Sequence, residues 1–362
     1  MQSKSAYLVL ESGKVFCGQS FGSDADAVGE IVFTTAMTGY LETLTDPSYF
    51  GQIVIQTFPL IGNYGVISPD FESASPALSA YIVRDICQEP SNFRSEGPLD
   101  VFLREKGVVG LSGIDTRALT RIVREVGVMN AAIVHEEPKD IDKIIEKLRA
   151  YSVRNAVMSV TCKEKMIYTP EDPARRVVLW DFGAKANIRR ELVKRGCEVI
   201  VMPANSTAED IIAERPDGIM LSNGPGDPAE NTGIIEELKK VCERRIPTFG
   251  ICLGHQLMAL ATGANTYKLK YGHRGGNHPV KDLETGRVYI SSQNHGYAVD
   301  EHSMNPEVAV PAFVNVNDKT NEGLKYVGKN IFTVQYHPEA CPGPQDSGYL
   351  FDRFLRMMEE ER

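Results

Sequence analysis

The motif GICLGHQ at 250–256 contains the residue best suited to chemistry, Cys252. A short apolar segment that predicts a strand precedes it, and a segment that predicts a helix follows it. A nucleophile between two glycines at such a junction is typical of a nucleophile elbow, because glycine avoids collisions with the neighbouring strand and helix. The positive end of the helix dipole favours the thiolate, which is the attacking form. A buried structural cysteine is the alternative, and the agreement of spacing, strand and helix favours the elbow.

A nucleophilic cysteine needs a base, and the chain offers seven histidines. His337 is favoured because it directly follows the apolar segment 331–336 and should lie at a strand end, as Cys252 does. Glu339 stands two residues later, and Pro338 favours extended backbone before it, so both side chains should point the same way. Glu339 can then orient the imidazole as the acid of a triad does. A structural histidine at a strand end is the alternative.

The sequence SNGPGDP at 222–228 also follows a predicted strand and precedes a helix. Its backbone amides should lie at the same sheet edge as the thiol, which makes Gly224 and Leu253 candidate N–H donors to an oxyanion. The segment formally matches a dinucleotide-binding fingerprint, but the next strand ends in Cys252, where a ribose-binding acid would be expected. A plain turn is a further alternative.

The elements that must position these residues alternate between strand and helix, which predicts a doubly wound, mostly parallel sheet with ligands at the carboxyl ends of its strands. The predicted strands are 177–182, 198–202, 218–222 and 247–251, and the predicted helices are 187–195, 208–214, 234–244 and 253–261. Short strands are predicted at 278–283, 287–292, 312–316, 324–327 and 331–336, before a final helix with Phe351, Phe354, Leu355 and Met358 on one face. By spacing alone, the basic stretch 268–281 predicts a solvated loop, and the polar stretch 291–297 predicts a turn.

The first part of the chain predicts a mixed α/β domain without a catalytic constellation. It shows a probable hairpin at 11–14, strands at 30–34 and 52–57, and two helices with apolar stripes at 119–126 and 141–148. A charged, proline-containing segment, 161–176, has no apolar period and predicts a linker. The expected organisation is a domain at 1–153, a linker at 154–175 and a second domain at 176–362.

Composition excludes several function classes. The net charge is -9, from 39 basic and 48 acidic residues, so no positive field is available for nucleic acid. No signal-peptide core follows the first residues, and no segment approaches the roughly 18 apolar residues of a membrane span, so a cytoplasmic protein without a membrane partner is expected. The seven cysteines form no CxxC pair, which fits reduced thiols and predicts no metal site.

Three of these motifs together, GICLGHQ at 250–256, NGPGD at 223–227 and HPE at 337–339, resemble the triad-type class I glutamine amidotransferase domain. In the first part, the segments 29–40, 45–49 and 61–65 resemble the small subunit of carbamoyl-phosphate synthetase. The similarity to that family runs essentially from end to end.

The resemblance implies that Cys252 hydrolyses L-glutamine, with His337 as base and Glu339 as its orienter. Ammonia would pass through a tunnel to a large subunit, in a heterodimer or a higher oligomer, and would be used there with bicarbonate and two ATP to make carbamoyl phosphate for arginine or pyrimidine synthesis. ATP and Mg are expected on that partner and no cofactor on this chain, which lacks a phosphate-binding GxxxxGK[ST] loop. The resemblance places the glutamine contacts on Ser48, Gly224, Gly226, Leu253, Gln256, Asn294, Gly296 and Tyr297, the last being phenylalanine in some members.

Two other functions compete with this interpretation. The same domain could serve another ammonia acceptor, such as chorismate or a nucleotide precursor, but the motifs of the first part match only the carbamoyl-phosphate family. A non-catalytic binding subunit is the other alternative, and the intact Cys252, His337 and Glu339 argue against it.

Overall fold

The computed structural model describes residues 4–340 and 343–360. The chain forms two compact units, which divide between Arg154 and Asn155. Within the described residues, no helix combines the length and the apolar character needed to span a bilayer.

The first unit is built on a closed barrel of seven strands. In chain order its nine strands are β1 (Ser5–Leu10), β2 (Val15–Gly22), β3 (Ala27–Thr34), β4 (Gln52–Gln56), β5 (Leu60–Ile61), β6 (Ala80–Ile82), β7 (Asp85–Ile86), β8 (Val109–Ser112) and β9 (Met129–Val134). The order around the barrel is β1-β2-β8-β6-β4-β3-β9, and β5 pairs with β7 in a separate sheet. Its helices are α1 (Tyr40–Thr45), α2 (Leu99–Glu105), α3 (Thr116–Val126) and α4 (Ile141–Ala150).

The local predictions for this unit are confirmed, whereas the barrel was not predicted. The hairpin turn at 11–14 joins β1 to β2, and both amphipathic helices form where their apolar stripes lie. The side chain of Asp115 caps α3 by accepting from the Ala118 amide, and Asp140 caps α4 in the same way. Closure depends on β1 pairing with β9, more than a hundred residues away, which alternation does not reveal.

The second unit contains one ten-stranded sheet with helices. In chain order its strands are β10 (Met166–Tyr168), β11 (Arg175–Asp181), β12 (Cys197–Pro203), β13 (Gly218–Leu221), β14 (Thr248–Ile251), β15 (Asn265–Asp282), β16 (Val288–Asp300), β17 (Ala309–Asn315), β18 (Asn321–Tyr326) and β19 (Ile331–Val334). Its helices are α5 (Ala156–Val160), α6 (Ala186–Lys194), α7 (Ala208–Ala213), α8 (Thr232–Cys242), α9 (Leu253–Ala261) and α10 (Tyr349–Glu360).

The sheet order is β10-β12-β11-β13-β14-β19-β18-β17-β15-β16. The strands from β12 to β19 in this order are parallel, and the others pair antiparallel. The predicted doubly wound, mostly parallel arrangement is therefore confirmed in the half of the sheet that carries the nucleophile.

The segment 154–175 does not behave as a bare linker. It carries α5 and the short strand β10, which pairs antiparallel with β12 at the edge of the second unit's sheet. The apolar pattern did not reveal these elements, because a helix of five residues and an edge strand of three are too short to show a period.

The predictions for 268–281 and 291–297 are wrong. Both stretches belong to the long paired strands β15 and β16, in which His273 lies opposite His295. His273 and Arg274 are buried rather than solvated. Polar side chains suggest exposure to water, so they concealed these strands. In the structure, such groups find hydrogen-bond partners in the protein interior instead.

Aromatic packing attaches the last helix to the sheet. Phe249 of β14 stacks on Phe332 of β19 with ring centroids 4.3 Å apart, and Phe351 and Phe354 of α10 each lie 5.9 Å from Phe249. The predicted apolar stripe is confirmed, since Phe351, Phe354 and Met358 are buried. This packing fixes β14 and β19 as neighbours, and the two proposed catalytic segments follow those strands.

Buried His273 gives the second unit a pH-dependent contribution to stability. Burial by itself lowers the pKa of His273, but Asp318, 2.8 Å from Nε2, and Glu322, 3.5 Å from Nδ1, outweigh burial and raise that pKa to about 9. The unfolded value is about 6.5, so this stabilisation is complete below pH 6.5 and is lost as the pH rises through 9.

We expect Asp318→Asn to lower the free energy of unfolding at pH 6 by about 1–2 kcal/mol. The loss is this small because Asp318 is half-exposed, so water weakens its interaction with His273. Above pH 9, where His273 is neutral, the free energy of unfolding should change little. Urea unfolding followed by the fluorescence of the buried single tryptophan, Trp180, reports on this unit. Glu236→Gln, which breaks an exposed ion pair with Lys239, is the control and should change little at any pH. An equal loss at pH 6 and pH 9 would contradict the assignment.

Candidate active site

The chain makes a sharp turn at Cys252, between β14 and α9. The residue has φ 53° and ψ -101°, a backbone conformation that residues other than glycine rarely adopt. The two neighbouring glycines, Gly250 and Gly254, are required because a larger side chain would collide with the surrounding structure. A methyl group at Gly254 would lie 2.5 Å from the Leu221 carbonyl oxygen, and one at Gly250 would lie 2.8 Å from Thr333 Cγ2. The predicted nucleophile elbow therefore exists as a local geometry.

Backbone hydrogen bonds to both neighbouring strands hold this turn. The Cys252 N–H donates to the Val334 oxygen at 2.8 Å, at the end of β19. The Gly254 N–H donates to the Ser222 oxygen at 3.0 Å, just after β13. Since β13 and β19 flank β14 in the sheet, the turn is fixed from two sides.

His337 lies where sequence analysis expected it, although β19 ends at Val334 rather than at residue 336. Beyond the end of β19, an isolated β-bridge holds the chain. In it, the His337 N–H donates to the Ser292 backbone oxygen of β16 at 2.9 Å. The His337 Nδ1 atom is 2.7 Å from Glu339 Oε1. The Nε2 atom is buried without a hydrogen-bond partner among the described residues, so it is the nitrogen left for chemistry.

The His337–Glu339 pair is buried and electrostatically coupled. Burial and the Lys185 charge lower the pKa of His337, but the Glu339 carboxylate and the Cys252 sulfur outweigh them and raise it above its usual range. Burial raises the pKa of Glu339, whereas His337 and Lys185, whose Nζ is 3.7 Å from Glu339 Oε1, bring it below its usual value. The arrangement favours an imidazolium beside a carboxylate.

The loop after β13 approaches the first residue of α9. A methyl group at Gly224 would lie 2.3 Å from the Phe182 oxygen and 2.7 Å from Leu253 Cδ2, so only glycine fits between them. Gly226 follows with φ +86°. The structure thus brings together Gly224 and Leu253, the two residues predicted to donate to an oxyanion, and α9 leaves its first amides without partners inside the helix.

Four further predicted residues lie on α9 and β16, close to the nucleophile. The Gln256 Nε2 atom donates to the Tyr297 oxygen at 2.8 Å. The Cys252 sulfur lies 3.7 Å from the Asn294 oxygen. Asn294, Gly296 and Tyr297 lie on β16, so a strand, not the expected turn, presents them to α9 and Cys252.

Ser48 lies in the first unit. It belongs to a single 3-10 turn, Pro47–Tyr49, which the Asp46 side chain caps by accepting from the Ser48 amide at 2.9 Å. The serine side chain is buried.

Lys185 and Gln335 are site residues that no sequence motif had indicated. Lys185 follows β11 closely, and the carboxyl ends of parallel strands meet at one edge, which was a usable signal. Gln335 stands two residues before His337, so alternation already placed it beside the base.

One group of described residues has potential metal-ligand atoms within 4.8 Å of one another, namely His273, His295 and Glu322. Both ring nitrogens of His295 already lie 2.7 Å from oxygens, those of Tyr297 and Gln293. The other two members also have neighbours outside the group, because His273 Nε2 lies 2.8 Å from Asp318 and Glu322 Oε1 accepts from Asn315 at 3.0 Å. Six of the cysteines are free thiols, and the seventh, Cys341, lies outside the described residues.

Comparison with known proteins agrees with this geometry. Residues 178–357 match the family described as glutamine amidotransferase class-I. The second unit is thus a class I glutamine amidotransferase domain, as its sheet and its cysteine elbow indicated. Residues 8–133 match the family described as carbamoyl-phosphate synthase small chain, CPSase domain.

Relatives extend the match over nearly the whole chain. A protein of Bacillus cereus (strain ATCC 10987 / NRS 248) is 53% identical over 97% of this chain and 95% of its own length. Proteins of Fusobacterium nucleatum and Listeria monocytogenes are 50% and 49% identical over 97% of this chain, and over 98% and 96% of their own. Each is named carbamoyl phosphate synthase small chain. The chain belongs to the family of carbamoyl phosphate synthase small chains, which confirms the resemblance.

We expect Gly254→Ala to disturb the elbow, because the added methyl would meet the Leu221 backbone oxygen at 2.5 Å. Such overpacking costs about 1–3 kcal/mol and should displace the sulfur. The melting temperature and the rate of Cys252 alkylation should both fall. Gly233→Ala is the matched control, since nothing lies within 4 Å of its new methyl. An unchanged alkylation rate in Gly254→Ala would show that the turn tolerates the side chain.

Proposed function

We propose that this chain hydrolyses L-glutamine to glutamate and ammonia and delivers the ammonia to a large carbamoyl-phosphate synthetase subunit. The observation that carries the proposal is the buried elbow of Cys252 beside the His337–Glu339 pair, in a chain of the small-chain family. A non-catalytic subunit would have no need for a strained cysteine or a buried ion pair.

In the proposed first half-reaction, the Cys252 thiolate attacks the side-chain amide carbon of glutamine. A carbon–sulfur bond forms, and the carbonyl electron pair moves to oxygen, where the N–H groups of Gly224 and Leu253 stabilise it. The oxyanion then collapses, the carbon–nitrogen bond breaks, and the His337 imidazolium gives its proton to the leaving ammonia. A thioester and a neutral imidazole remain.

In the second half-reaction, neutral His337 removes a proton from water, and the hydroxide attacks the thioester carbon. The carbon–sulfur bond breaks, glutamate leaves, and the thiolate returns beside the imidazolium. Glu339, 2.7 Å from Nδ1, stabilises the imidazolium and fixes which ring nitrogen faces the substrate.

Substrate recognition is proposed on the motifs that the chain shares with the family. The proposed contacts are Ser48, Gly224, Gly226, Leu253, Gln256, Asn294, Gly296 and Tyr297. The buried polar surroundings of Gln256 and Asn294 support two of these, because fixed amides discriminate strongly among polar substrates.

The remaining parts of the proposal concern the partner and the setting. The large subunit would bind ATP and Mg and form at least a heterodimer with this chain, through which ammonia travels in a tunnel. The proposed setting is the cytoplasm, and the product would supply arginine or pyrimidine synthesis.

We expect Cys252→Ala to abolish glutamine hydrolysis, by at least about a thousandfold, while the complex with the large subunit still makes carbamoyl phosphate from free ammonia. Glutamate formation and carbamoyl phosphate formation should be measured separately, with the chain alone and with the partner, bicarbonate and ATP. Cys17→Ala, which changes an exposed cysteine on β2, should leave both rates unchanged.

The pattern of rates distinguishes the alternatives. Hydrolysis that is slow alone and rises many-fold with the partner supports a coupled glutaminase subunit. A hydrolysis rate that does not change when the partner is added would point to another ammonia acceptor. No hydrolysis by the unaltered chain in either condition would favour a binding subunit.

A further inference from the structure

A buried carboxamide, that of Gln335, lies against the nucleophile. The side chain of Gln335 is fully buried between β19 and His337. Its Nε2 atom lies 3.6 Å from the Cys252 sulfur, a distance typical of a hydrogen bond to sulfur. Its Oε1 atom accepts from Gln256 Nε2 at 2.9 Å. The carboxamide therefore connects the sulfur to α9.

The orientation of this carboxamide follows from a backbone carbonyl. The Tyr297 oxygen can only accept, so the Gln256 atom 2.8 Å from it must be the amide nitrogen. The same nitrogen lies 2.9 Å from Gln335, which must present its oxygen there. The Gln335 amide N–H is therefore left pointing at the sulfur.

The surroundings of the sulfur give this N–H a specific role. The Cys252 backbone N–H is occupied by the Val334 oxygen, and the Asn294 oxygen, 3.7 Å away, is an acceptor. A neutral thiol can donate to that carbonyl, but a thiolate is repelled by it and needs a donor. Gln335 supplies the donor, and a donor to a charged acceptor is worth more than a donor to a neutral one.

We propose that Gln335 is a positioning residue for the nucleophile, whose amide N–H stabilises the Cys252 thiolate and holds it for attack. This inference rests on the proposed glutaminase function and adds to it a residue that the triad does not include. The Gln335 backbone N–H donates to the Glu322 oxygen at 2.9 Å, so the main chain keeps its anchor when the side chain is changed.

The test compares two variants. Gln335→Met keeps the size but removes both the donor to the sulfur and the acceptor of Gln256, whereas Gln335→Glu keeps an acceptor for Gln256 and replaces the donor with a carboxylate oxygen. The first measurement is the rate of alkylation of Cys252 by iodoacetamide against pH, in the full-length chain. It needs neither glutamine nor the partner, so it remains informative if the proposed function fails. The titratable groups that act on the site are His337, Glu339 and Lys185, and both variants keep them.

We expect Gln335→Met to alkylate about tenfold more slowly at pH 7 and to reach its half-maximal rate about one pH unit higher. Gln335→Glu should show a larger shift in the same direction. In the complex, kcat for glutamine should fall about tenfold in Gln335→Met while KM changes little, and ammonia-dependent synthesis should be unaffected. Gln52→Met, on β4 of the first unit, is the control and should match the unaltered chain.

A purely structural role predicts a different pattern. It would lower the melting temperature of both variants and leave the pH curve for alkylation in place, and that result would overturn the proposal. A wild-type alkylation curve at unchanged melting temperature would overturn it as well. A shifted pH curve in a chain that shows no glutaminase activity would instead retain the role of Gln335 and reject the proposed function.

Discussion

The site depends on a backbone conformation that the chain would not adopt by itself. Holding a non-glycine residue at the angles of Cys252 costs about 1–3 kcal/mol, so its surroundings must enforce it. Two amides of the turn donate to carbonyl oxygens at the carboxyl ends of β13 and β19, the strands on either side of β14. The strain is therefore offset by the sheet. The aromatic contacts of Phe249, Phe332 and α10 keep those strands in place and so contribute to the site from a distance.

A second constraint is charge. Burying a carboxylate as deeply as that of Glu339 costs free energy unless positive charges lie close to it. Here His337 and Lys185 supply those charges. In the proposed resting state, the thiolate of Cys252 and the carboxylate balance the imidazolium and the ammonium, so the buried group is neutral as a whole. A donor from Gln335 to the thiolate fits this balance, because each buried charge then has a partner of suitable polarity.

Local sequence signals predicted much of this molecule, and the parts that they missed have physical causes. The elbow, the HPE turn and the alternating elements around β11 to α9 were readable because glycine spacing, strand ends and apolar periods are local. The barrel of the first unit was not readable, because its closure pairs β1 with β9 across more than a hundred residues. The long strands β15 and β16 form a local hairpin, but their polar side chains concealed the alternation that predicts a strand. His273 and Arg274 look solvated in sequence, yet in the interior His273 lies 2.8 Å from the Asp318 carboxylate and Arg274 donates to the Tyr271 backbone oxygen.

The antiparallel half of the sheet explains why a parallel sheet alone would leave the site incomplete. Within a few residues, β16 supplies the Ser292 oxygen that anchors His337, the Asn294 oxygen that faces the sulfur and the Tyr297 oxygen that orients Gln256. Ser292 and Asn294 are alternate residues and so lie about 6.6 Å apart along the strand, and Tyr297 lies three residues further, beyond a shift in the β15–β16 register. The positions of the base, the nucleophile and the amide network thus all depend on the register of one strand. A slip of β16 by one residue would misplace all three.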